Sequence, residues 1–266
     1  MDTMLKKSIF LVTALLFGEP AFAAHPLITD DAGTQGKGHV QLEINSEFSR
    51  NRETEKGTGI RETGSEITAA LSYGLSETID LVVGLPFVWY KIEENGITVA
   101  DESGIGDISL EMKWRMYESK DGNFSLALKP GLSLPSGNEN KGLGSGKVSG
   151  GVVLIATKEG QLGAIHGNIG FTHNEYKLEE ESDNTRKDIW HASLAAEINL
   201  AENLRGVANI GIETSDEPHA ENHPAFLLGG LIYSLSDDLD LDLGIKTGLN
   251  DAETDTTLLA GIAARF

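Results

Sequence analysis

The stretch TLLAGIAARF (residues 257 to 266) ends the chain, and how its alternation is read decides the fold. In an extended strand, Leu258, Ala260, Ile262, Ala264 and Phe266 fall on one side, and Thr257, Leu259, Gly261, Ala263 and Arg265 on the other. A free chain end usually frays. This one reads as a finished strand, so it needs a strand partner and an apolar medium over its Phe266 side.

The opposite end of the chain says where that medium lies. Lys6 and Lys7 precede the apolar run SIFLVTALLF (8 to 17), and Ala21-Phe22-Ala23 follows in the small-x-small order that a signal peptidase cuts. The run is shorter than the ~20 residues a membrane-spanning helix needs. Residues 1–23 are therefore expected to be a cleaved signal peptide, and the protein to leave the cytoplasm. No later stretch is long and apolar enough for a spanning helix, so any return to a membrane must use strands.

Composition fits that reading. With no cysteine, no disulfide, thiol chemistry or Cys-based metal site is available to an exported chain. Glycine, at 31 residues against 7 prolines, suits many strands and tight turns better than disorder. A net charge of −20 argues against nucleic acid as a partner, because a phosphate backbone calls for a basic surface.

Period-two alternation recurs along the whole chain. VQLEINSEF (40 to 48) sets Val40, Leu42, Ile44 and Phe48 against Gln41, Glu43, Asn45 and Glu47. IDLVVGLPFVWY (79 to 90) and ISLEMKWRMY (108 to 117) repeat the pattern, the latter with Lys113 and Arg115 on its polar face. Twelve such segments, most near the ~9 to 11 residues that a tilted strand needs to cross a bilayer, can be counted. Connections after even-numbered segments are short, as in GLSE (74 to 77) and SDD (236 to 238). Those after odd-numbered segments include longer polar runs, such as 50–64, 91–104, 136–147 and 175–187. Short turns on one rim and long loops on the other are the mark of a transmembrane barrel. A soluble sandwich has no reason to segregate its loops so regularly.

The expectation is an all-β fold: a transmembrane antiparallel up-and-down barrel of twelve strands in the outer membrane, with short periplasmic turns and longer outer loops. It divides the chain into a signal peptide (1–23), a periplasmic N-terminal segment that could act as a plug (24–38) and the barrel (39–266). In a closed barrel the last strand pairs with the first, and Phe266 faces lipid at the periplasmic rim. A terminal aromatic after alternating apolar residues also resembles the signal read by the outer-membrane assembly machinery, which would make that machinery and membrane lipid partners.

Five segments carry a family resemblance: AHPLITDDAGTQGKGHVQLEIN (24 to 45), YGLSETIDLVVGLPF (73 to 87), GIGDISLEMKWRMY (104 to 117), LALKPGLSLPSG (126 to 137) and YSLSDDLDLDLGIKTGLN (233 to 250). In order and spacing they resemble the transporter family named after the meta pathway of phenol degradation. The resemblance implies an outer-membrane barrel that passes small, often aromatic or hydrophobic, compounds. A non-conducting structural or surface-adhesion barrel is the alternative, and a barrel lipid hydrolase a distant third.

If the apolar faces meet lipid, the opposite faces line the lumen. They carry Glu43, Glu47, Glu66, Asp107, Glu111, Lys113, Arg115, Lys129, Arg205 and Lys246 as candidate permeation residues. Such charges either bias permeants in an open conduit or pair with one another across a closed one. The segment HPLITDDAGTQGKG (25 to 38) is too polar and Gly-rich for a strand or helix, yet it holds Pro26, Leu27 and Ile28 beside Asp30 and Asp31. As a gate, it would fold back so that Asp30 or Asp31 meets a lumen base such as Arg115 or Lys129; as a tail, it would stay in the periplasm.

No enzyme and no cofactor are expected. His191 and Ser193, two apart on one strand face, have the spacing of a base and nucleophile, but they share the lumen face of Glu197, away from any lipid substrate. His219, Glu221 and His223 in HAENH are expected to be solvated loop residues rather than metal ligands. GLGSGK (142 to 147) lacks the spacing and the strand-to-helix setting of a phosphate loop.

Overall fold

The structure, a computed structural model, describes residues 25–55 and 57–266; the expected signal peptide lies outside them. Its strands are β1 (Val40–Glu55), β2 (Thr58–Ser76), β3 (Ile79–Glu94), β4 (Ile97–Ile105), β5 (Ile108–Glu118), β6 (Phe124–Leu134), β7 (Ser149–Gly160), β8 (Gly163–His173), β9 (Asp188–Ala201), β10 (Leu204–Glu213), β11 (Ala225–Ser236), β12 (Leu239–Gly248) and β13 (Thr256–Arg265). Each pairs antiparallel with the next, except that β5 pairs with β3 rather than β4, and β1 pairs with β13 to close the ring. Twelve strands form the barrel. The remaining one, β4, pairs with β3 alone.

The closure answers the question raised by the last residues. Gln41 to Arg50 face Arg265 to Thr256 in register, and Val40 and Phe266 exchange backbone hydrogen bonds at 3.1 and 2.8 Å. Phe266 is 73% exposed, in the direction of lipid.

The molecule is apolar outside and polar inside, because alternate residues on each strand face opposite media. Along β3, Leu81, Val83, Leu85 and Phe87 are exposed, while Asp80, Val82, Val88 and Tyr90 are buried. Glu43, Glu111, Lys113, Lys129, Asn209, Asp240 and Asp242 are buried as well. The reverse of a soluble core, this pattern holds in water only at heavy cost and in lipid at none.

Aromatic pairs mark both edges of the lipid band. Phe48 and Trp89 (ring centroids 6.3 Å apart), with Phe171 and Trp190 (4.8 Å), stand near the long-loop rim; Tyr117 and Phe124 (6.2 Å) stand near the short-turn rim. From Leu81, the partner of Tyr73, up to Trp89, β3 climbs about 20 Å of membrane at ~3.3 Å per residue and a tilt near 40°.

Two expectations need correction. The polar runs 50–64 and 91–104 are not loops but ladder. β1, β2 and β3, at 16, 19 and 16 residues, extend past the lipid band as a sheet, joined on its far side by β4. A long polar stretch reads as loop when only apolar alternation is counted, but above the membrane both faces of a strand meet water. One signal for the second hairpin was available: Asn95-Gly96, whose φ angles of 49° and 83° are those a two-residue hairpin turn requires.

β4 and β5 share one edge of β3 end to end. β5 pairs with Ile79 to Gly84 and β4 with Phe87 to Glu94, with Gly106-Asp107 breaking the strand between them. On this side β6 pairs with β5 and not with β4, and it stops at Leu134. Beside β4 the ring is therefore completed by the connection 135–148 rather than by a ladder.

Candidate functional site

Residues 25–35 lie inside the barrel, and Gly36 to Gly38 stand at its short-turn rim. The chain leaves the short-turn rim, where the Gly38 N–H donates to the Gly74 carbonyl (2.8 Å) and Gln35 N–H to the Asp80 carboxylate (2.9 Å), and it crosses the lumen to β12. The end of β2 at Gly74 has no room for a side chain. A Cβ on Gly74 would stand 1.8 Å from the Gly36 carbonyl oxygen.

Three kinds of contact hold the segment. Leu27, 2% exposed, packs into a cluster with Val207, Phe226, Leu228, Ile232 and Leu259; Ala32 packs against Ala127, Val153 and Ile155. Burying Leu27 contributes about 2 to 3 kcal/mol. Pro26 sits on Gly230 and Gly244, where a Cβ would come within 2.6 and 2.7 Å of its ring. Polar lumen groups satisfy its backbone: Asn209 Oδ1 accepts the N–H groups of Ile28 (2.8 Å) and Thr29 (3.0 Å), and Thr157 Oγ1 accepts that of Ala32 (2.8 Å). The Asn168 amide, in the orientation that satisfies both its ends, donates to the Asp30 carbonyl (2.9 Å) and accepts the Asp30 N–H (2.7 Å).

The third contact is ionic. Asp30, fully buried, receives Lys113 Nζ at 2.7 Å and Lys129 Nζ at 3.0 Å, and Lys129 lies 3.6 Å from Glu111. Two lysines and two carboxylates thus neutralise one another in a buried setting, the condition under which a buried charge is tolerated. At the other end of the segment His25 Nδ1 pairs with Asp242.

The sequence expectation paired Asp30 or Asp31 with Arg115 or Lys129. Lys129 does meet Asp30, but Arg115 points to the short-turn rim, donating to the Glu77 carbonyl (2.9 Å) and lying 3.4 Å from Glu118. Asp31 caps the N–H of Gly33 within its own turn. Lys113 takes the place expected of Arg115. Both face inward, and only the path of the segment tells them apart.

The other expected lumen charges fall into groups. Arg205 bridges Glu197 (2.8 Å) and Asp240 (3.2 Å), and Arg265 reaches Asp240 (2.9 Å) and Gln41 (3.0 Å). Glu43 accepts from Gln41 and, at 3.3 Å, from Asn45. Higher up, Lys246 pairs with Glu253 (3.0 Å), and Glu66 accepts the Thr68 hydroxyl (2.6 Å), while Glu47, its cross-strand partner, is exposed. Asp107 serves the connection 135–148, accepting the N–H groups of Gly137 (2.9 Å) and Ser145 (2.8 Å) and the Ser145 hydroxyl (3.0 Å).

That connection folds inward. Leu143, 2% exposed, packs against Val88, Tyr90 and Ile92, and the Tyr90 hydroxyl donates to the Lys141 carbonyl (2.7 Å). Ser136 Oγ bridges the broken strand, accepting the Ile108 N–H and donating to the Gly106 carbonyl, both at 2.8 Å. Around this roof lies a cavity of about 110 Å³. Pro86, Val88, Leu132 and Leu143 supply its apolar lining; Glu66, Thr68, Ser109, Ser133, Thr172 and Asn174 supply polar groups. An apolar cavity of about 150 Å³ holds a benzene ring, so this space is on the scale of one small ring.

Ser193 Oγ accepts a hydrogen bond from the Thr29 hydroxyl (2.7 Å), so it serves the inserted segment. His223 Nδ1 accepts the Ser215 N–H (3.1 Å) within its loop. Sequence reading missed the seat of the segment: Val153, Ile155, Val207, Leu228 and Leu259 are apolar residues on inward faces. Leu259, on the Thr257 side of the closing strand, was one visible signal.

A closed barrel with a lipid-facing exterior and a chain segment lodged in its lumen defines an outer-membrane β-barrel protein. The chain belongs to the family described as putative MetA-pathway of phenol degradation, which it matches over residues 29–266. Its fold is similar to that of an outer-membrane channel from Pseudomonas putida F1 (12% identity, TM-score 0.67, covering 89% of this chain and 98% of that one). It is also similar to the translocator domain of the autotransporter NalP from Neisseria meningitidis (10% identity, TM-score 0.60, covering 100% and 98%). At such identities the likeness is one of fold, and those two proteins differ in what they are named for. No curated protein matches the chain in sequence.

Proposed function

We propose that the protein is a passive outer-membrane channel for small molecules with an apolar body, and that residues 25–35 are its gate. The observation that carries this reading is how the lumen is closed. Wall side chains do not simply fill it; two folded-back pieces of chain occupy it, held by apolar packing and by specific polar and ionic contacts rather than by strand pairing. A purely structural barrel has no need of removable stoppers, and membership of a family named for phenol degradation fits a small ring as permeant. The cavity beside the roof would be a resting place, its apolar side taking the ring and its hydroxyl groups a polar substituent. Asp30, between Lys113 and Lys129, would be the latch.

The absence of cysteine makes a clean test possible. Thr29→Cys with Ser193→Cys places two thiols where two hydroxyls now touch. In vesicles, the oxidised double variant is expected to pass phenol at a small fraction of the reduced rate, with reduction restoring it. No flux from folded protein in either state would move the assignment to a structural or adhesion barrel. A second reading, lateral escape through the wall, is favoured by the unpaired edge of β4: flux indifferent to the Thr29–Ser193 tether but stopped by fixing the connection 135–148 to β4 would select it.

A further inference from the structure

We propose that the outward face of the β1–β2–β3 extension is a docking site for the phosphate groups of outer-leaflet glycolipid. Residues of like parity on a strand share a face, and the register places them in rows. Phe48, Ser65 and Trp89 form the last row of the lipid band. One step further from the membrane the row is Arg50, Thr63 and Lys91, and the next is Arg52, Arg61 and Glu93. Four bases thus collect on one small face of a chain whose net charge is −20.

Internal pairing does not account for them. Arg52 and Arg61 are direct cross-strand partners, and like charges so placed repel unless an anion lies between them. Glu93 sits 2.6 Å from Lys91 and a loose 3.5 Å from Arg61. Among the described residues, the guanidinium groups of Arg50 and Arg52 have no carboxylate partner. Two other carboxylates near this face are Asp101, opposite Lys91 on β4, and Asp255, which accepts the backbone N–H of Arg52 (3.0 Å). Arg50, Arg52 and Arg61 are all exposed.

Position selects the occupant. Guanidinium groups bind phosphate oxygens in a two-pronged fashion, and these stand about 5 to 10 Å beyond an aromatic row at the interface, the depth of a lipid headgroup. A bound glycolipid would lay acyl chains against Phe48, Phe87 and Trp89 and its phosphates between Arg50, Arg52 and Arg61. A soluble anion would gain only the second contact.

The test compares the wild type with R50A/R52A/R61A, both shown to be folded by heat-modifiable electrophoretic mobility. Binding of bisphosphorylated lipid A and of its dephosphorylated form is measured in detergent micelles. The expected result is at least tenfold weaker binding of the bisphosphorylated form by the triple variant, and a similar loss on dephosphorylation with the wild type. K120A/K158A, which removes charge from the short-turn side, should bind like the wild type. Equal binding by the wild type and the triple variant, or indifference to dephosphorylation, would overturn the site. Complete displacement by millimolar inorganic phosphate would mean a free-anion site and overturn the lipid assignment.

Discussion

Asp30 carries much of the ionic hold on the inserted segment, because its one carboxylate meets two buried lysines, Lys113 and Lys129. Removing one partner of a buried ion set costs about 3 to 5 kcal/mol, since the charges left behind stay out of water. Asp30→Asn, nearly identical in shape, is therefore expected to release residues 25–35 while leaving the barrel ladder intact. Vesicle flux should rise several-fold and the segment should become cleavable by protease. Unchanged flux with a cleavable segment would show that the segment does not gate. Gly74 makes the parallel steric case. Because a Cβ added there would lie only 1.8 Å from the Gly36 carbonyl oxygen, Gly74→Ala must push the segment off its path, and it should raise flux while Asp30 keeps its lysines.

At the scale of elements, the connection 135–148 and the helix Glu179–Asn184 are the two pieces whose placement the barrel does not impose. Asp107 holds the first through three hydrogen bonds, and Asp107→Ala should loosen the roof by about 2 to 4 kcal/mol. Single-channel recording is expected to show longer open intervals, without loss of folded protein. For the second, burial and then the charge of Asp107 raise Glu181 from its ordinary 4.5 to about 7, and burial raises Asp216 as well. Carboxyl groups with raised values favour the docked form when protonated. The contribution of Glu181 is complete below about pH 4.5 and is lost as pH rises through about 7, and that of Asp216 is lost in the same direction. Amide protection factors over residues 176–185, with the intrinsic pH dependence of exchange divided out, should accordingly be higher at pH 4.5 than at pH 8, and Glu181→Gln should flatten that difference.

For the whole molecule, ring closure is the cooperative step, because it removes both sheet edges at once. Val40 and Phe266 form its last rung, and Phe266 adds an aromatic side chain at the interface. Phe266→Ala is expected to lower the amount of assembled barrel more than the stability of what does assemble. Quantifying heat-resistant protein in membranes, beside its unfolding midpoint in detergent, separates the two effects.

Ring, membrane and strand direction were all legible in the sequence. Alternation is a local property, and lipid outside with a polar interior forces it on every strand. The terminal strand, the paired rims and the inward set of Glu43, Glu111, Lys113 and Lys129 could thus be read residue by residue. The extension of β1 to β3 was not legible in the same way, since beyond the lipid band neither face need be apolar and the period fades. Nor could parity tell Lys113 from Arg115, both inward, as the partner of Asp30. That choice, like the seat of Leu27 on β10 to β13, depends on where an irregular segment runs across a lumen. Its contacts join residues as far apart as Thr29 and Asn209. Sequence alone determined which way each side chain of the wall faces, because the medium on either side dictates it. Only the tertiary structure decided what fills the space inside, because that follows from shape and charge matching between parts of the chain that no local pattern connects.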